Sequence, residues 1–248
     1  MEAAHKNAPV DKNIEILFKN ISIGDRPFLP LFYDCIARSG TPIHSWKIFR
    51  RALRALNLAQ YVDHTLDVEG GWVECGVFSG FSALMTAEIH RIRNPEYRGE
   101  GLHLIDSFEG LSQPTINDAT GKRDLGNGET ERISNFRQGH FAAGLDQVQL
   151  TMHPFPHAQY HKGWVPDILE ALPDQKWAFV HIDVDLYEPT LGCLEYFVPR
   201  MACGGCIVND DFSSPLFPGG GIAWREYCER HGLSYAILDS GQSVLFVE

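Results

Sequence analysis

The chain has no long apolar run, no excess of positive charge and no cysteine framework, and each absence removes a class of function. No stretch approaches the roughly 18 uninterrupted apolar residues that a membrane span requires. The first seven residues, Met-Glu-Ala-Ala-His-Lys-Asn, hold no apolar signal core. Neither membrane insertion nor secretion by a signal peptide is therefore expected. Lys and Arg number 21 against 32 Asp and Glu, a net charge of -11. That balance argues against a protein built to hold nucleic acid or an anionic membrane. Six Cys in 248 residues are too few for a disulfide scaffold, so a reducing cytoplasm is the expected setting. Internal repeats and low-complexity tracts are also missing.

What is present is ordinary globular material. Hydrophobic residues make up 44% of the chain and charged ones 21%, enough to bury one sizeable core. Residues 1 to about 30 are polar and then punctuated by proline. They suggest an N-terminal arm or lid, taken as 1–45, ahead of a main domain over 46–248. Trp46, Phe49, Leu53 and Leu56 follow helical spacing with Lys and Arg between them, which predicts an amphipathic helix over 46–56 on the edge of the core.

From Gly70 onward the pattern is α/β. A strand over 72–77 ends in a glycine turn, and Phe81, Leu84, Met85, Ile89 and Ile92 predict a helix over 81–93. Further strands are expected at 102–105, near 148–150, at 177–182 and at 206–208. Helical segments between strands imply a parallel sheet covered on both faces. Runs at 235–238 and 244–247, joined by Asp-Ser-Gly-Gln-Ser, predict a hairpin and so an antiparallel edge. The polar stretch 112–144 is long for a connection. It is either a lid or binding loop, or partly disordered.

Three places carry chemistry. The turn Glu74-Cys75-Gly76-Val77-Phe78-Ser79-Gly80 puts glycines between a strand and a helix, where a ligand can approach the backbone. Asp106 closes the next strand, a position from which a carboxylate can bind ribose hydroxyls. The dinucleotide spacing G-x-G-x-x-G is absent, which favours an adenosyl cofactor over NAD. The strongest signal is Asp183 and Asp185 after one apolar strand, and Asp210-Asp211 after the next. Carboxylates at neighbouring strand ends converge over a parallel sheet. Four together repel unless protons or a cation neutralise them, and an all-oxygen set favours Mg²⁺, Mn²⁺ or Ca²⁺. Other clusters carry less. Cys203-Gly204-Gly205-Cys206 lacks a second pair and suggests a turn into a strand. Pro154 and Pro156 break any helix that would align His153, His157 and His161. His181 suggests a core histidine beside the first Asp pair.

At these residues the sequence resembles the macrocin O-methyltransferase family. The resemblance rests on Glu74-Cys75-Gly76-Val77, residues 105–111 (Ile-Asp-Ser-Phe-Glu-Gly-Leu), Lys162-Gly163-Trp164, residues 181–188 (His-Ile-Asp-Val-Asp-Leu-Tyr-Glu), and Gly204-Gly205 leading to Asp210-Asp211-Phe212. It covers roughly residues 40 to 248. It implies a Rossmann-like class I methyltransferase sheet, mostly parallel with an antiparallel C-terminal hairpin and helices on both faces. It also implies methyl transfer from S-adenosylmethionine to a hydroxyl of a small, glycosylated natural-product acceptor. Glu74, Gly76, Val77, Phe78, Ser82 and Asp106 would contact the cofactor, with Ser107 beside the ribose or adenine. Asp183, Asp210 and Asp211 would hold Mg²⁺, and Asp185 would be the general base, with Asp183 beside it. Two departures stand out. Ser79-Gly80-Phe81-Ser82 replaces the family's usual Arg-Gly-Gly-Ser, and Asn209-Asp210-Asp211-Phe212 replaces Val-Asp-Asp-Tyr. A homo-oligomer is compatible with such a fold, with the arm as a candidate contact. The rival readings are a metal-dependent nucleotide-sugar glycosyltransferase, which explains Asp183 and Asp185 but not the glycine turn, and a non-catalytic cofactor-binding scaffold.

Overall fold

A computed structural model describes residues 12–42, 48–124 and 129–247. Helix α1 (Lys12–Phe18), the short pair β1 (Ser22–Ile23) and β2 (Arg26–Pro27), α2 (Phe28–Ser39) and α3 (Ile48–Thr65) precede the main sheet. Then follow β3 (Gly71–Cys75), α4 (Phe81–Arg93), β4 (Leu102–Asp106), the hairpin β5 (Gly121–Asp124) and β6 (Thr130–Ile133), and α5 (Leu145–Thr151). The chain closes with β7 (Gln159–Lys162), β8 (Trp177–Ile182), α6 (Tyr187–Phe197), β9 (Met201–Asn209), α7 (Pro218–His231), β10 (Ala236–Ile237) and β11 (Ser243–Phe246).

Seven strands form one sheet in the order β10-β11-β9-β8-β3-β4-β7. Pairing is parallel from β9 through β7 and antiparallel at β9–β11 and β11–β10. The mixed edge is the one expected from the two C-terminal runs. Strand periodicity of two sorts the side chains to the two faces. Leu102, Leu104, Phe179 and Val208 pack under the helices of the first half, α2, α3 and α4. Val73, Val180, Ile182 and Ile207 face Phe197 of α6 and Trp224 of α7. Fully burying a side chain such as Leu84 or Phe197 contributes about 1.5–3 kcal/mol, so both layers are held firmly. None of the described helices is long and apolar enough to cross a membrane.

Several expectations need correction. Residues 148–150 are not a strand but part of α5. Val148 and Thr151 are buried while Leu150 is exposed. A strand would have put 148 and 150 on one face, whereas a helix separates them. The strand of that region is β7, parallel to β4 at the sheet edge. Its sequence, Gln-Tyr-His-Lys, is polar because an edge strand is only half covered. Helix α3 runs to Thr65, beyond residue 56, and its buried stripe is Ile48, Ala52, Ala55, Ala59 and Val62; of the expected stripe Leu56 is buried, Leu53 is half-buried and Phe49 is exposed. Trp46, where that stripe was expected to start, lies outside the described residues, as do 1–11 of the arm. Residues 203–206, expected as a turn, lie within β9, where Gly204 takes φ 80° and the register against β8 slips. The 112–144 stretch contains the β5–β6 hairpin; 125–128 lie outside the described residues.

The connections set the position of the site. From β3 the chain moves outward through β4 to β7, then returns to the other side of β3 to place β8 and β9. The order reverses between β3 and β8, and ligands bind parallel sheets at such a switch point, beyond the strand ends.

Candidate functional site

The loops after β3, β4, β8 and β9 meet at that switch point around a cavity of about 730 Å³, within the range of small-molecule sites. Gly76 takes φ 87°, and a Cβ there would lie 1.9 Å from the Asp183 carbonyl oxygen. Only glycine lets the β3 and β8 loops pass this closely. Phe78 at φ 46°, Phe108 at φ 54° and Asp185 at φ 64° are non-glycine residues in the left-handed region. All three lie on strand-end loops, the setting in which such conformations gather at ligand sites.

On the turn side, polar groups pair with one another, and of the Asp106 and Glu74 carboxylate oxygens Glu74 Oε2 alone is left without a hydrogen bond among the described residues. Asp106 Oδ2 accepts the amides of Val77 (2.7 Å) and Phe78 (3.1 Å), and its Oδ1 accepts that of Phe108 (2.7 Å). Ser107 donates to the Gly110 carbonyl and accepts from the Glu109 amide. Ser82 donates to Glu74 Oε1 at 2.5 Å. Glu74 is buried behind Ser82 and does not line the cavity, whereas Gly76, Val77, Phe78, Ser82, Asp106 and Ser107 do. Glu74 is thus placed to orient Ser82 and the turn from behind.

On the floor the balance is different. The structure brings Asp183, Asp185, Asp210 and Asp211 together at the ends of β8 and β9. Side-chain donors of Asp183, Asp185 and Asp211 lie within 4.8 Å of one another, and so do those of His181, Asp183 and Asp210. The three expected metal ligands are therefore divided between two groups that share Asp183. Burial, then the neighbouring Asp210 and Asp211, pushes the Asp183 carboxyl well above its ordinary range. Burial, then Asp211 and Asp183, does the same to Asp185. Burial and Asp210 push Asp211 up to about 6, against the pull of Arg54. Asp210 goes the other way. Despite its burial, the Arg54 charge and the His181 hydrogen bond hold it well below the usual carboxylate range. Arg54 donates to Asp210 Oδ2 at 3.1 Å, His181 Nε2 lies 3.2 Å from Oδ1, and Gln242 donates to Oδ1 at 2.6 Å.

His181 is no ordinary core histidine. It is wedged between Asp210 and Glu74, whose Oε2 lies 3.8 Å from Nδ1. Against its burial, these two acids raise its pKa well above the usual value. It links the turn side to the floor.

Oxygen donors that are close and mutually repelling are the surroundings a hard divalent cation neutralises. The group Asp183, Asp185 and Asp211 fits one. The other clusters do not converge. His157 pairs with Glu100, His161 with His103 on β4, Cys203 is exposed and Cys206 buried.

The spacing of α3 did not reveal Arg50, Arg51 and Arg54 as cavity residues. Their only signal was an unusually basic helix face in an acidic chain. Nor did it reveal Phe141 or Leu216, which stand exposed at the cavity with Phe78 and Trp164. Phe141 belongs to the 112–144 stretch, whose base is tied down where Asp118 accepts the Tyr187 amide at 2.8 Å.

Comparison with known proteins gives this arrangement a context. The macrocin-O-methyltransferase family model matches residues 46–246. The chain is 28% identical over 194 residues to an 8-demethyl-8-(2,3-dimethoxy-alpha-L-rhamnosyl)-tetracenomycin-C 4'-O-methyltransferase of Streptomyces olivaceus, covering 75% of this chain and 70% of that protein. It is 25% identical over 193 residues to a mycinamicin III 3''-O-methyltransferase of Micromonospora griseorubida, covering 75% and 72%. Among solved structures, the O-methyltransferase NovP aligns with a TM-score of 0.62 at 21% identity, covering 79% of each chain. The calicheamicin methyltransferase CalS11 aligns at 0.63 and 20%, covering 88% of this chain and 91% of that one. The sheet is a Rossmann-like methyltransferase sheet.

Proposed function

The chain belongs to the macrocin O-methyltransferase family, and from that premise we propose that it moves a methyl group from S-adenosylmethionine to a sugar hydroxyl on a natural product. The observation that carries this reading is the convergence of the glycine turn and the carboxylate floor on one cavity at the sheet's switch point. The relatives named for methylating a rhamnosyl tetracenomycin and a mycinamicin support a glycosylated acceptor. In this reading 46–248 is the methyltransferase domain and 1–45 an N-terminal addition to it.

The roles follow from the chemistry of each side. Gly76, Val77, Phe78 and Ser82 form the wall against the cofactor, and Asp106 and Ser107 hold the turn at its ribose edge. Glu74 fixes Ser82 from behind. Asp183 and Asp211, with Asp210 or Asp185, would hold Mg²⁺ or a similar cation. When bound, such a cation supplies positive charge against the negative charge that develops on the acceptor oxygen. Asp185 serves as general base, since its carboxylate accepts no hydrogen bond among the described residues and burial, then Asp211 and Asp183, raise its proton affinity. Transfer forms a bond between the methyl carbon and the acceptor oxygen. The sulfonium sulfur leaves as a neutral thioether, and the hydroxyl proton goes to Asp185. Phe141, Trp164 and Leu216, apolar residues at the cavity, face the acceptor. What the chain must achieve is alignment of oxygen, carbon and sulfur.

Thermal melts separate this reading from glycosyl transfer. S-adenosylhomocysteine at a hundred times its Kd should add about 2.7 kcal/mol of stability, with no response to a nucleoside diphosphate. The reverse pattern would replace methyl transfer with glycosyl transfer. Asp185→Asn should lower turnover by about 10²-fold or more while cofactor binding is kept. Equal loss of both would remove Asp185 from the role of base.

A further inference from the structure

Arg51 differs from its neighbours on α3. Arg54 donates to the carboxylate and carbonyl of Asp210, and Arg50 donates to the Ser240 carbonyl. Arg51 is half-buried in the wall of the same cavity and has no hydrogen bond or ion pair with any described residue. In a chain with 32 acidic and 21 basic residues, a cavity guanidinium that lies near Asp183 and Asp210 yet pairs directly with neither is available to a ligand. Its five N–H groups face the cavity and are free to donate to a ligand.

Its position narrows the ligand. Asp183 and Asp210 attract Arg51 and Arg54 repels it, which places it on the floor side of the cavity. Strand order puts Asp106 on β4, the Gly76 turn on β3 and Asp183 on β8. A cofactor whose ribose edge lies at Asp106 and which crosses the turn therefore extends its other end toward β8. Helix α3 packs against β8, β9 and α4 on that side. The far end of S-adenosylmethionine is an amino acid with a free carboxylate. Four aspartates stand nearby, and their like charge disfavours that group. A planar guanidinium that can take both its oxygens at once offsets the repulsion.

We propose that Arg51 binds the carboxylate at the amino-acid end of S-adenosylmethionine. The proposal rests on the cavity being the cofactor site. The test is calorimetric titration of the full chain with S-adenosylhomocysteine and with its decarboxylated analogue, which keeps the amine and loses only the carboxylate. Wild type is expected to prefer S-adenosylhomocysteine by roughly tenfold or more, the scale of a charge-assisted pair. Arg51→Met should reduce that preference to about twofold, leave affinity for the decarboxylated analogue nearly unchanged, and melt within a few degrees of wild type. Arg51→Lys should restore part of the preference, since an ammonium keeps the charge and loses the fork. If Arg51→Met retains the full preference, or weakens both ligands equally, the assignment is wrong. If wild type binds neither ligand, the cofactor reading itself fails before the variants are reached.

Discussion

The two sides of the cavity are built on opposite electrostatic terms. On the turn side Asp106 accepts three backbone amides and Glu74 accepts Ser82, so the acids there are spent on holding the chain in shape. On the floor the Asp183 and Asp185 carboxylates accept no hydrogen bond among the described residues, and burial and repulsion raise both pKa values. Even within the floor the contrast recurs. Asp210, met by Arg54, His181 and Gln242, behaves as a structural acid, whereas its neighbour Asp211 is pushed up to about 6. An acid that the fold has already satisfied maintains geometry. An acid left in excess waits for a ligand.

The largest effect should come from the point where the two sides touch. Gly76→Ala would drive a Cβ into the Asp183 carbonyl in a backbone conformation alanine resists. A loss on the order of 5 kcal/mol, comparable to the whole stability of many domains, should leave little folded protein by circular dichroism. A variant melting within a few degrees of wild type would show the loops to be looser than described.

Next come paired substitutions with opposite signs. Asp106→Ala strips three amides of their acceptor and should cost about 3 kcal/mol, read as a lower urea midpoint. Asp183→Asn relieves repulsion on the floor, so the cation-free protein should gain about 1 kcal/mol while losing about 10²-fold or more in turnover. Destabilisation by both would erase the distinction between spent and excess acids.

The smallest effect is one of pH. Asp211 titrates at about 6 in the fold and near 3.9 when unfolded. Between those values the native state binds more protons than the unfolded one, so the stability from this group is full below about 3.9 and lost as pH rises through 6. Mg²⁺ competes with that proton. The rise in melting temperature on adding Mg²⁺ should therefore grow between pH 5 and 7. A constant increment across that range would contradict a cation bound at Asp211.

The same contrast explains what was legible in the sequence. Strand β8 and helix α4 were found with their observed bounds, because six buried residues in a row and a clean 3.6-residue stripe admit few alternatives. The four aspartates were legible for a related reason: a charge directly after an apolar strand has one place to go. Strand β7 was not, since its polar edge residues carry no burial pattern, and Val148-Gln149-Leu150 shows a strand's alternation although it lies in a helix. The arginines of α3 were invisible because a basic helix face usually faces solvent. Only the folding of α3 across β8 and β9 turns it toward the cavity. Glu74 was identified as part of the turn, but its position behind Ser82 depends on the direction of one side chain, which spacing alone does not carry.

The most direct measurement is titration of S-adenosylhomocysteine into the purified chain, once with Mg²⁺ and once with EDTA. Micromolar binding in both conditions is expected, because the turn is complete without a cation. Absence of binding in both conditions would contradict the methyltransferase reading at its root.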